Sequence, residues 1–255
     1  MIDSHAHLDD KKFDYDRDTL ITNLKQNGID FVYNIGADLE SSIASVELAN
    51  KYSNIHAVVG VHPHEAKTYS NEVEEKLIEL TKDKKVRAIG EIGLDFYYDN
   101  SPRDVQREVF KRQIILADAV KLPVVIHSRD ASEETYDMIE WAKTNYSDMD
   151  ILIHCFSQSV EMMRKYMKLD CYIALGGAVT FKNARVPKEV AREVDINRLL
   201  LETDSPYMTP VPFRGKRNEP MYIKYVAREI AQIRGMDEAE LVSITDANTK
   251  RFYND

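Results

Sequence analysis

Cysteine is nearly absent from this sequence, which contains only Cys155 and Cys171 among its 255 residues. This scarcity excludes the disulfide framework that holds many small secreted domains together. The chain also lacks any run of about 18 or more apolar residues, the length that a membrane-spanning helix needs. We expect no secretory signal either, because a His5–His7 pair lies where the apolar core of such a signal would be. These absences predict a cytoplasmic protein that does not bind the membrane.

An excess of positive charge is missing too, with 34 Lys and Arg against 43 Asp and Glu and a formal net charge of −9 at pH 7. Nonspecific coating of nucleic acid requires many Lys and Arg contacts to phosphates, so that class of protein is disfavoured. Local basic patches remain compatible with phosphate binding. Repeats, low-complexity tracts and linkers are also absent, and we therefore expect a single domain over residues 1–255.

Short apolar runs rich in β-branched residues alternate with amphipathic stretches of helical period along the chain. Strict alternation predicts a parallel sheet, and eight units predict closure into a (β/α)8 TIM barrel, an α/β fold. We expect Gly28 to end the first helix, Asp237 to begin the last, and residues 203–218 to form a long loop. The predicted strands are residues 2–4, 30–35, 55–60, 86–90, 123–126, 151–153, 171–175 and 199–202. The predicted helices are residues 14–27, 40–52, 72–82, 103–121, 132–144, 160–168, 187–194, 219–234 and 237–254.

Six of the seven histidines lie at the ends of these predicted strands. Residues two apart on a strand share a face, so His5 and His7 are expected to act together as a metal clamp. The loops that follow the strands of such a barrel converge at one rim. Four imidazoles and two carboxylates at that rim would suit two divalent metal ions. The predicted metal ligands are His5, His7, Glu91, His127, His154 and Asp204.

Glu91 and Asp204 are the predicted catalytic residues. A carboxylate has two oxygens, so Glu91 is expected to bridge the two ions, and Asp204 is expected to hold a metal and to orient or deprotonate its water. Glu202 and Asp95 are expected to orient the metal ligands without binding the ions themselves. The alternative for Glu202 is a buried ion pair, and the alternative for Asp95 is a helix N-cap. A lone histidine at a strand end is more often a hydrogen-bonded structural residue. The interpretation therefore depends on the joint pattern, since parallel strands otherwise favour Val, Ile and Leu.

Side chains near the same rim are candidates for contacts to a negatively charged substrate. Arg129 directly follows the sequence His127-Ser128 and is the favoured phosphate contact, while Lys216 and Arg217 are further basic candidates. For each Lys or Arg the alternative is a solvated surface charge, and for His62 and His64 it is a structural role in a loop made rigid by Pro63. The predicted substrate-binding residues are His62, His64, Arg129, Lys182 and Arg214.

Aromatic side chains also follow two of the predicted strands. Phe96, Tyr97 and Tyr98 come after Glu91, and Phe156 comes after His154. Each would either stack on an unpaired base or pack in the core, and the sequence leaves both interpretations open.

Seven motifs, taken in chain order, resemble the TatD family of metal-dependent deoxyribonucleases, which is part of the amidohydrolase-like superfamily. The resemblance extends from residue 1 to about residue 250. It implies a barrel of the metal-dependent hydrolase type and a two-metal phosphodiesterase that trims single-stranded DNA from the 3′ end. The motifs are HAHL at 5–8, GVHPH at 60–64, GEIGLD at 90–95, IHSR at 126–129, HCF at 154–156, LETDSP at 201–206 and PFRGKRNEP at 212–220.

Carried over position by position, the resemblance implies that His5, His7, Glu91 and Asp204 hold one metal ion. Glu91 would hold the other ion together with His127 and His154. Many relatives in the wider superfamily use a carbamylated lysine as the bridging ligand, and Glu91 occupies that place here.

Two other functions stay open from the sequence. The first is an ester or amide hydrolase on the same scaffold, such as a D-aminoacyl-tRNA deacylase with tRNA as its partner, because metal-activated water attacks carbonyl and phosphoryl centres alike. The second is a noncatalytic metal or nucleic-acid binding module, which the presence of both Glu91 and Asp204 disfavours. DNA, as single strands or 3′ ends, is the expected substrate. The choice among Zn²⁺, Mg²⁺ and Mn²⁺ is open, and so is the oligomeric state, for which we expect a monomer.

Overall fold

Residues 1–255 form eight strands and nine α-helices in a computed structural model of the chain. Six short 3₁₀ helices lie between these elements. The strands are β1 Ile2–Ala6, β2 Phe31–Ile35, β3 Ile55–Val59, β4 Val86–Asp95, β5 Val124–Arg129, β6 Ile151–Ile153, β7 Tyr172–Leu175 and β8 Leu199–Leu201. The helices are α1 Arg17–Asn23, α2 Leu39–Lys51, α3 Asn71–Leu80, α4 Arg103–Val120, α5 Ser132–Asn145, α6 Val160–Lys168, α7 Arg185–Glu193, α8 Ile223–Arg234 and α9 Glu238–Tyr253.

The eight strands belong to one sheet in the order β1 to β8, the order in which they occur in the chain. The strand pairs β1–β2, β3–β4, β4–β5, β5–β6 and β7–β8 are parallel. Parallel neighbours that follow one another in sequence require a crossover, and a helix supplies it each time. The predicted (β/α)8 TIM-barrel fold is therefore confirmed.

Apolar side chains fill the strands, and every residue of β3 and β7 is buried. Strands of a parallel sheet are covered on both faces, which accounts for their nearly continuous apolar sequences. Buried polar residues are the exceptions, and several of them, including His5, Glu91 and His154, belong to the motifs singled out above. None of the nine helices is both long and apolar enough to cross a membrane.

Two of the predicted helix boundaries are confirmed by their caps. Gly28 adopts the left-handed conformation with φ of +81° after the first helical segment, which ends as the 3₁₀ helix Lys25–Asn27. Asp237 accepts hydrogen bonds from the backbone N–H groups of Ala239 and Glu240 at the start of α9. Both residues act through the local backbone, which is why the sequence alone predicts them.

Strands β4 and β5 are longer than the sequence predicts. They extend to Asp95 and Arg129, whereas the predicted strands ended at residues 90 and 126. The two extensions pair with each other, as the opposition of Asp95 and Arg129 shows. Glu91 and His127 therefore lie within strands rather than directly after them.

Residue contacts group the chain into two compact units. The first unit consists of Met1–Asn34 and His154–Asp255, and the second consists of Ile35–Ile153. The first contains β1, β7 and β8, and the second contains β3 to β6. The single domain expected over residues 1–255 stays a prediction.

Candidate metal centre

Two imidazoles and one carboxylate meet in the first unit, and we call His5, His7 and Asp204 the His5 cluster. The Nε2 atoms of His5 and His7 are 3.3 Å apart. Asp204 Oδ1 lies 3.5 Å from His7 Nε2 and 3.9 Å from His5 Nε2. His5 is fully buried, whereas His7 and Asp204 are partly exposed. The cluster thus lies at the edge of the core, where solvent reaches two of its three side chains.

Backbone pairing between the end of β1 and the segment after β8 holds the His5 cluster together. Ala6 and Ser205 form a parallel bridge. The His7 N–H donates to the Ser205 carbonyl at 2.7 Å, and the Asp204 N–H donates to the His5 carbonyl at 2.9 Å. Strand alternation directs His5 and His7 to one face, as the sequence predicts, and this pairing brings Asp204 beside them.

His154 and Glu202 lie next to the His5 cluster. The ring of His154 stacks on that of His5, with centroids 3.8 Å apart and an interplanar angle of 7°. Glu202 is fully buried, and its Oε1 accepts the backbone N–H of Cys155 at 2.7 Å. Its Oε2 lies 3.7 Å from His154 Nδ1. These contacts hold the backbone directly after His154, and the supporting role of Glu202 stays a prediction.

Neighbouring imidazoles favour the ionised form of Asp204. Burial by itself raises the pKa of Asp204, but the hydrogen bond with His7 and the charges of His154 and His5 outweigh burial and hold the pKa below its ordinary value. An ionised carboxylate only accepts hydrogen bonds, and it is the form that binds cations or takes up a proton.

A second group of ligand atoms lies in the second unit, and we call His62, Glu91 and His127 the Glu91 cluster. Glu91 Oε1 is 2.8 Å from His127 Nδ1 and 3.5 Å from His62 Nε2. Burial, together with the charge of His127, lowers the pKa of His62 to about 4. His62 is therefore neutral at pH 7, which is the form of imidazole that binds metal ions.

The position of Glu91 depends on an irregularity in β4. The register of β4 against β5 shifts between Ile89 and Ile92, and the Glu91 N–H donates to the Gly36 carbonyl at 3.0 Å. Such a shift redirects a side chain relative to a regular strand. Regular pairing then resumes and places Gly93 opposite His127.

Asp95 lies behind the Glu91 cluster and contacts the ring nitrogen of His127 that points away from Glu91. Asp95 Oδ2 accepts hydrogen bonds from His127 Nε2 at 3.0 Å and from His64 Nε2 at 2.8 Å. Burial raises the pKa of Asp95, but the hydrogen bonds from His127, Tyr98 and His64 outweigh it and hold the pKa well below its usual range. A carboxylate on one ring nitrogen fixes the tautomer and leaves the other nitrogen for a metal, and here that other nitrogen, Nδ1, faces Glu91.

The donor atoms of both clusters suit divalent ions. In each cluster three donor atoms lie within 4.8 Å of one another. Two nitrogens bound to one tetrahedral zinc ion lie about 3.3–3.4 Å apart, and the Nε2 atoms of His5 and His7 have this separation, 3.3 Å. Imidazole and carboxylate also bind other divalent ions, so the donor set fits a metal without selecting one.

A family model described as TatD related DNase matches residues 2–254. The chain belongs to this family. YabD of Bacillus subtilis (strain 168), named as an uncharacterized metal-dependent hydrolase, is 42% identical over 253 residues, which cover 99% of this chain and 98% of YabD. YcfH of Escherichia coli (strain K12), which has the same description, is 33% identical over 258 residues, which cover 100% of this chain and 96% of YcfH. The crystal structure of YjjV, a TatD homolog from Escherichia coli K12, matches with a TM-score of 0.93 at 27% identity, and the match covers 100% of this chain and 98% of YjjV.

These similarities establish the general chemistry of the protein. Both named sequence relatives are described as metal-dependent hydrolases, and each match extends over nearly the whole length of both chains. The His5 and Glu91 clusters supply the donor atoms that such chemistry requires. The protein is a metal-dependent hydrolase of the TatD family. The bridging of two ions by Glu91, and the assignment of His154 as a ligand, stay predictions.

Among the predicted substrate contacts, those in the second unit lie beside the Glu91 cluster. His62 belongs to the cluster, and His64 is held by Asp95 with part of its ring exposed. Arg129 is exposed, and its guanidinium lies over the ring of Tyr97 with 4.2 Å between its Cζ and the ring centroid. Arg129 forms no ion pair, so its charge is available to a ligand.

The predicted contacts in the first unit lie at the surface. Lys182 is exposed, and Arg214 is exposed and stacks over the Phe181 ring at 3.7 Å. Arg217, a further basic candidate from the sequence, forms ion pairs with Asp16 and Glu219. Its charge is therefore neutralised within the fold. The phosphate contact considered for Arg217 is therefore not supported.

Two features of the site were not predicted from the sequence. His62 was considered a substrate contact, yet its ring lies among potential metal ligands, because its Nδ1 accepts the His64 N–H and its Nε2 thereby faces Glu91. The other feature is Asp3, fully buried in β1, where burial raises its pKa to about 8 although Thr203 donates hydrogen bonds to it. An acidic residue within an apolar strand was the available signal, since buried carboxylates need partners.

Proposed function

We propose that this hydrolase cleaves phosphodiester bonds of DNA and removes nucleotides from the 3′ ends of single strands. The proposal is carried by one observation, namely two clusters of imidazole and carboxylate donors in a chain whose family model is described as a DNase. Divalent ions, when bound, lower the pKa of a coordinated water and neutralise charge on phosphoryl oxygens.

Each cluster would hold one ion. His5, His7 and Asp204 are the proposed ligands in the first unit, and Glu91 and His127 are the proposed ligands in the second. Asp95 would orient His127 by accepting a hydrogen bond from its Nε2, at the 3.0 Å distance seen here. We also propose His154 as a ligand, because its ring is buried and stacks on that of His5.

Asp204 is the proposed general base. Its carboxylate is ionised at neutral pH, because neighbouring imidazoles outweigh the effect of burial on its pKa. It is also partly open to solvent, so a water molecule can reach it. In the reaction Asp204 would accept the proton of the attacking water through a carboxylate oxygen.

Arg129 is the proposed contact to the phosphate adjoining the Glu91 cluster. Its guanidinium is exposed and unpaired, and it follows His127 by two residues on β5. A guanidinium can bind two phosphoryl oxygens at once, which positions the group as well as neutralising it. Lys182 and Arg214, both exposed, are also proposed as phosphate contacts.

The proposal is tested with purified full-length protein and 3′-labelled single-stranded DNA in the presence of Mg²⁺, Mn²⁺ or Zn²⁺. We expect the label to be released as a mononucleotide from the earliest time points, and we expect a chelator to abolish its release. Asp204→Asn should lower the rate by about 100-fold or more, the typical contribution of a positioned general base. Glu47→Gln, which neutralises an exposed carboxylate on α2, is the matched control and should leave the rate unchanged.

Three results would overturn the proposal. Cleavage that survives both the chelator and Asp204→Asn would exclude the metal-dependent mechanism. Release of the label only within longer fragments would exclude 3′ exonuclease action. Deacylation of a D-aminoacyl-tRNA by metal-loaded protein that leaves DNA intact would assign the site to carboxylic esters instead.

A further inference from the structure

Two neighbouring tyrosines stand exposed beside the Glu91 cluster. Tyr97 is 58% exposed and Tyr98 is 53% exposed, and their rings meet edge to face with centroids 4.9 Å apart. Phe96, directly before them, is only 9% exposed. The sequence left open whether these three residues stack on a base or pack in the core. In the structure Phe96 packs in the core, whereas Tyr97 and Tyr98 are exposed.

We propose that Tyr97, Tyr98 and Arg129 form a stacking platform that binds an unpaired nucleobase next to the bond to be cleaved. This inference rests on the proposed nuclease function and names the part of the substrate that the site recognises beyond its phosphate. Every base has a flat aromatic face, so stacking favours single strands of any sequence over paired bases.

Hydrogen bonds to Asp95 connect the backbone of this platform to the Glu91 cluster. Asp95 Oδ1 accepts the N–H groups of Tyr97 and Tyr98 at 3.0 and 2.9 Å, while its Oδ2 accepts from His127. The ring of His64 also meets that of Tyr98 edge to face, with centroids 5.3 Å apart. One carboxylate therefore holds both a proposed metal ligand and the two exposed rings, so a base on those rings would lie beside the Glu91 cluster.

Arg129 gives the platform its charge. Its guanidinium carbon lies 4.2 Å from the centroid of Tyr97 and 4.8 Å from that of Tyr98. Nearby arginines on α4 are neutralised, since Arg103 pairs with Asp99 and Arg107 pairs with Glu134. Arg129 has no such partner, so its planar cation can contact a base face or the adjoining phosphate.

Tyr15 offers a comparison, because it is an exposed tyrosine in a different electrostatic setting. Tyr15 is 81% exposed and also lies near an arginine, Arg217, whose guanidinium carbon is 5.1 Å from the ring centroid. That arginine, however, is paired with Asp16. Tyr15 is therefore the matched control, an exposed ring beside a neutralised cation.

The test measures binding of a single-stranded oligonucleotide with a 3′-terminal 2-aminopurine and phosphorothioate linkages that resist cleavage. The full-length protein is used with its metal bound. Stacking quenches 2-aminopurine, so we expect quenching with the wild type, with Tyr97→Phe and with Tyr15→Ala. Tyr97→Ala and Tyr98→Ala should weaken binding by about 5- to 150-fold, the ratio that corresponds to about 1–3 kcal/mol per stacked base. Arg129→Gln should weaken binding and reduce its salt dependence.

A second oligonucleotide, with an abasic 3′-terminal nucleotide, separates stacking from other contacts. The wild type and Tyr97→Ala should bind it equally. Equal affinity of both proteins for the 2-aminopurine strand would overturn the platform, whether or not DNA is cleaved. Quenching that depends on Tyr97, in a protein that cleaves no DNA under any metal condition, would uphold the platform while refuting the proposed nuclease function.

Discussion

Gly93 allows β4 and β5 to approach closely beside the Glu91 cluster. Its φ is +142°, a backbone conformation that side chains with a Cβ rarely adopt. A Cβ built at this position would lie 2.0 Å from the carbonyl oxygen of His127. The glycine is therefore required both by the local conformation and by the space beside a proposed metal ligand.

We expect Gly93→Ala to destabilise the protein by about 3 kcal/mol, the upper range for strain at a disallowed conformation. The overlap is with backbone rather than with a flexible side chain, so His127 must move. A displacement of about 1 Å can cost about 100-fold in rate. Urea unfolding and the rate of DNA cleavage would measure the two effects.

Gly235→Ala is the control for Gly93→Ala. Gly235, which ends α8, also has a positive φ, +64°, but nothing lies within 4 Å of a Cβ built there. We expect a cost of about 1–2 kcal/mol from the backbone conformation alone, with no loss of rate. Equal effects of the two substitutions would show that contact with His127 is unimportant.

Between elements, an ion pair fastens the long segment after β8 to the start of α1. Arg217 Nη1 and Nη2 donate to the two carboxylate oxygens of Asp16, each at 2.7 Å. The Arg217 guanidinium also donates to the carbonyl oxygen of Lys12 at 2.9 Å. The segment 203–219 contains no helix or strand, as the sequence predicts for residues 203–218, and this bidentate pair restrains it.

The stability contributed by this pair should depend on pH. The hydrogen bond from Arg217 holds the pKa of Asp16 below its ordinary value. A depressed carboxylate pKa stabilises the fold above the pKa of the unfolded chain, about 3.9, and the contribution is lost as the pH falls below it. We expect Asp16→Asn to destabilise the protein by about 1 kcal/mol at pH 7 and progressively less as the pH falls below 4.

Urea midpoints of the wild type and Asp16→Asn at pH 7, 5 and 3.5 would check this expectation. Glu79→Gln, which breaks the exposed pair with Lys82, is the control and should change stability by less than about 0.5 kcal/mol. A difference between the wild type and Asp16→Asn that grows on acidification would contradict the argument.

The bounds of the strands and helices show which elements the local sequence pattern predicts correctly. The bounds of β6 and α6 are those predicted, because apolar runs and helical period mark them directly. The ends of β4 and β5 were predicted too short, since residues such as Gly93 and Arg129 do not look like strand residues. Their strand conformation comes from pairing with each other, which is information about a distant part of the chain.

For the whole molecule, metal binding and folding should be coupled. The two clusters bring together residues far apart in sequence, such as His7 and Asp204. An unfolded chain does not hold them in place, so an ion binds the folded state preferentially and stabilises it. Without an ion, these buried and half-buried polar groups contribute less to stability.

Removal of metal should therefore lower the midpoint of thermal unfolding. An ion at about 100 times its dissociation constant contributes about 2.7 kcal/mol, which for a chain of this size corresponds to roughly 5–10 °C. Calorimetry before and after chelation, with the metal content measured, would check this. Asp204→Asn should show a smaller shift on chelation, and an unchanged midpoint after verified metal loss would contradict the coupling.

The sequence by itself determined the fold class, the facing of His5 and His7, and the chemical type of the site. These follow from local periodicity and from residue types that chemistry restricts. Only the tertiary structure decided that His62 joins Glu91 and His127, that Asp95 holds both His127 and the tyrosine platform, and that Phe96 is buried while Tyr97 is exposed. Such facts depend on strand register and on contacts between distant segments, and a one-dimensional pattern contains neither.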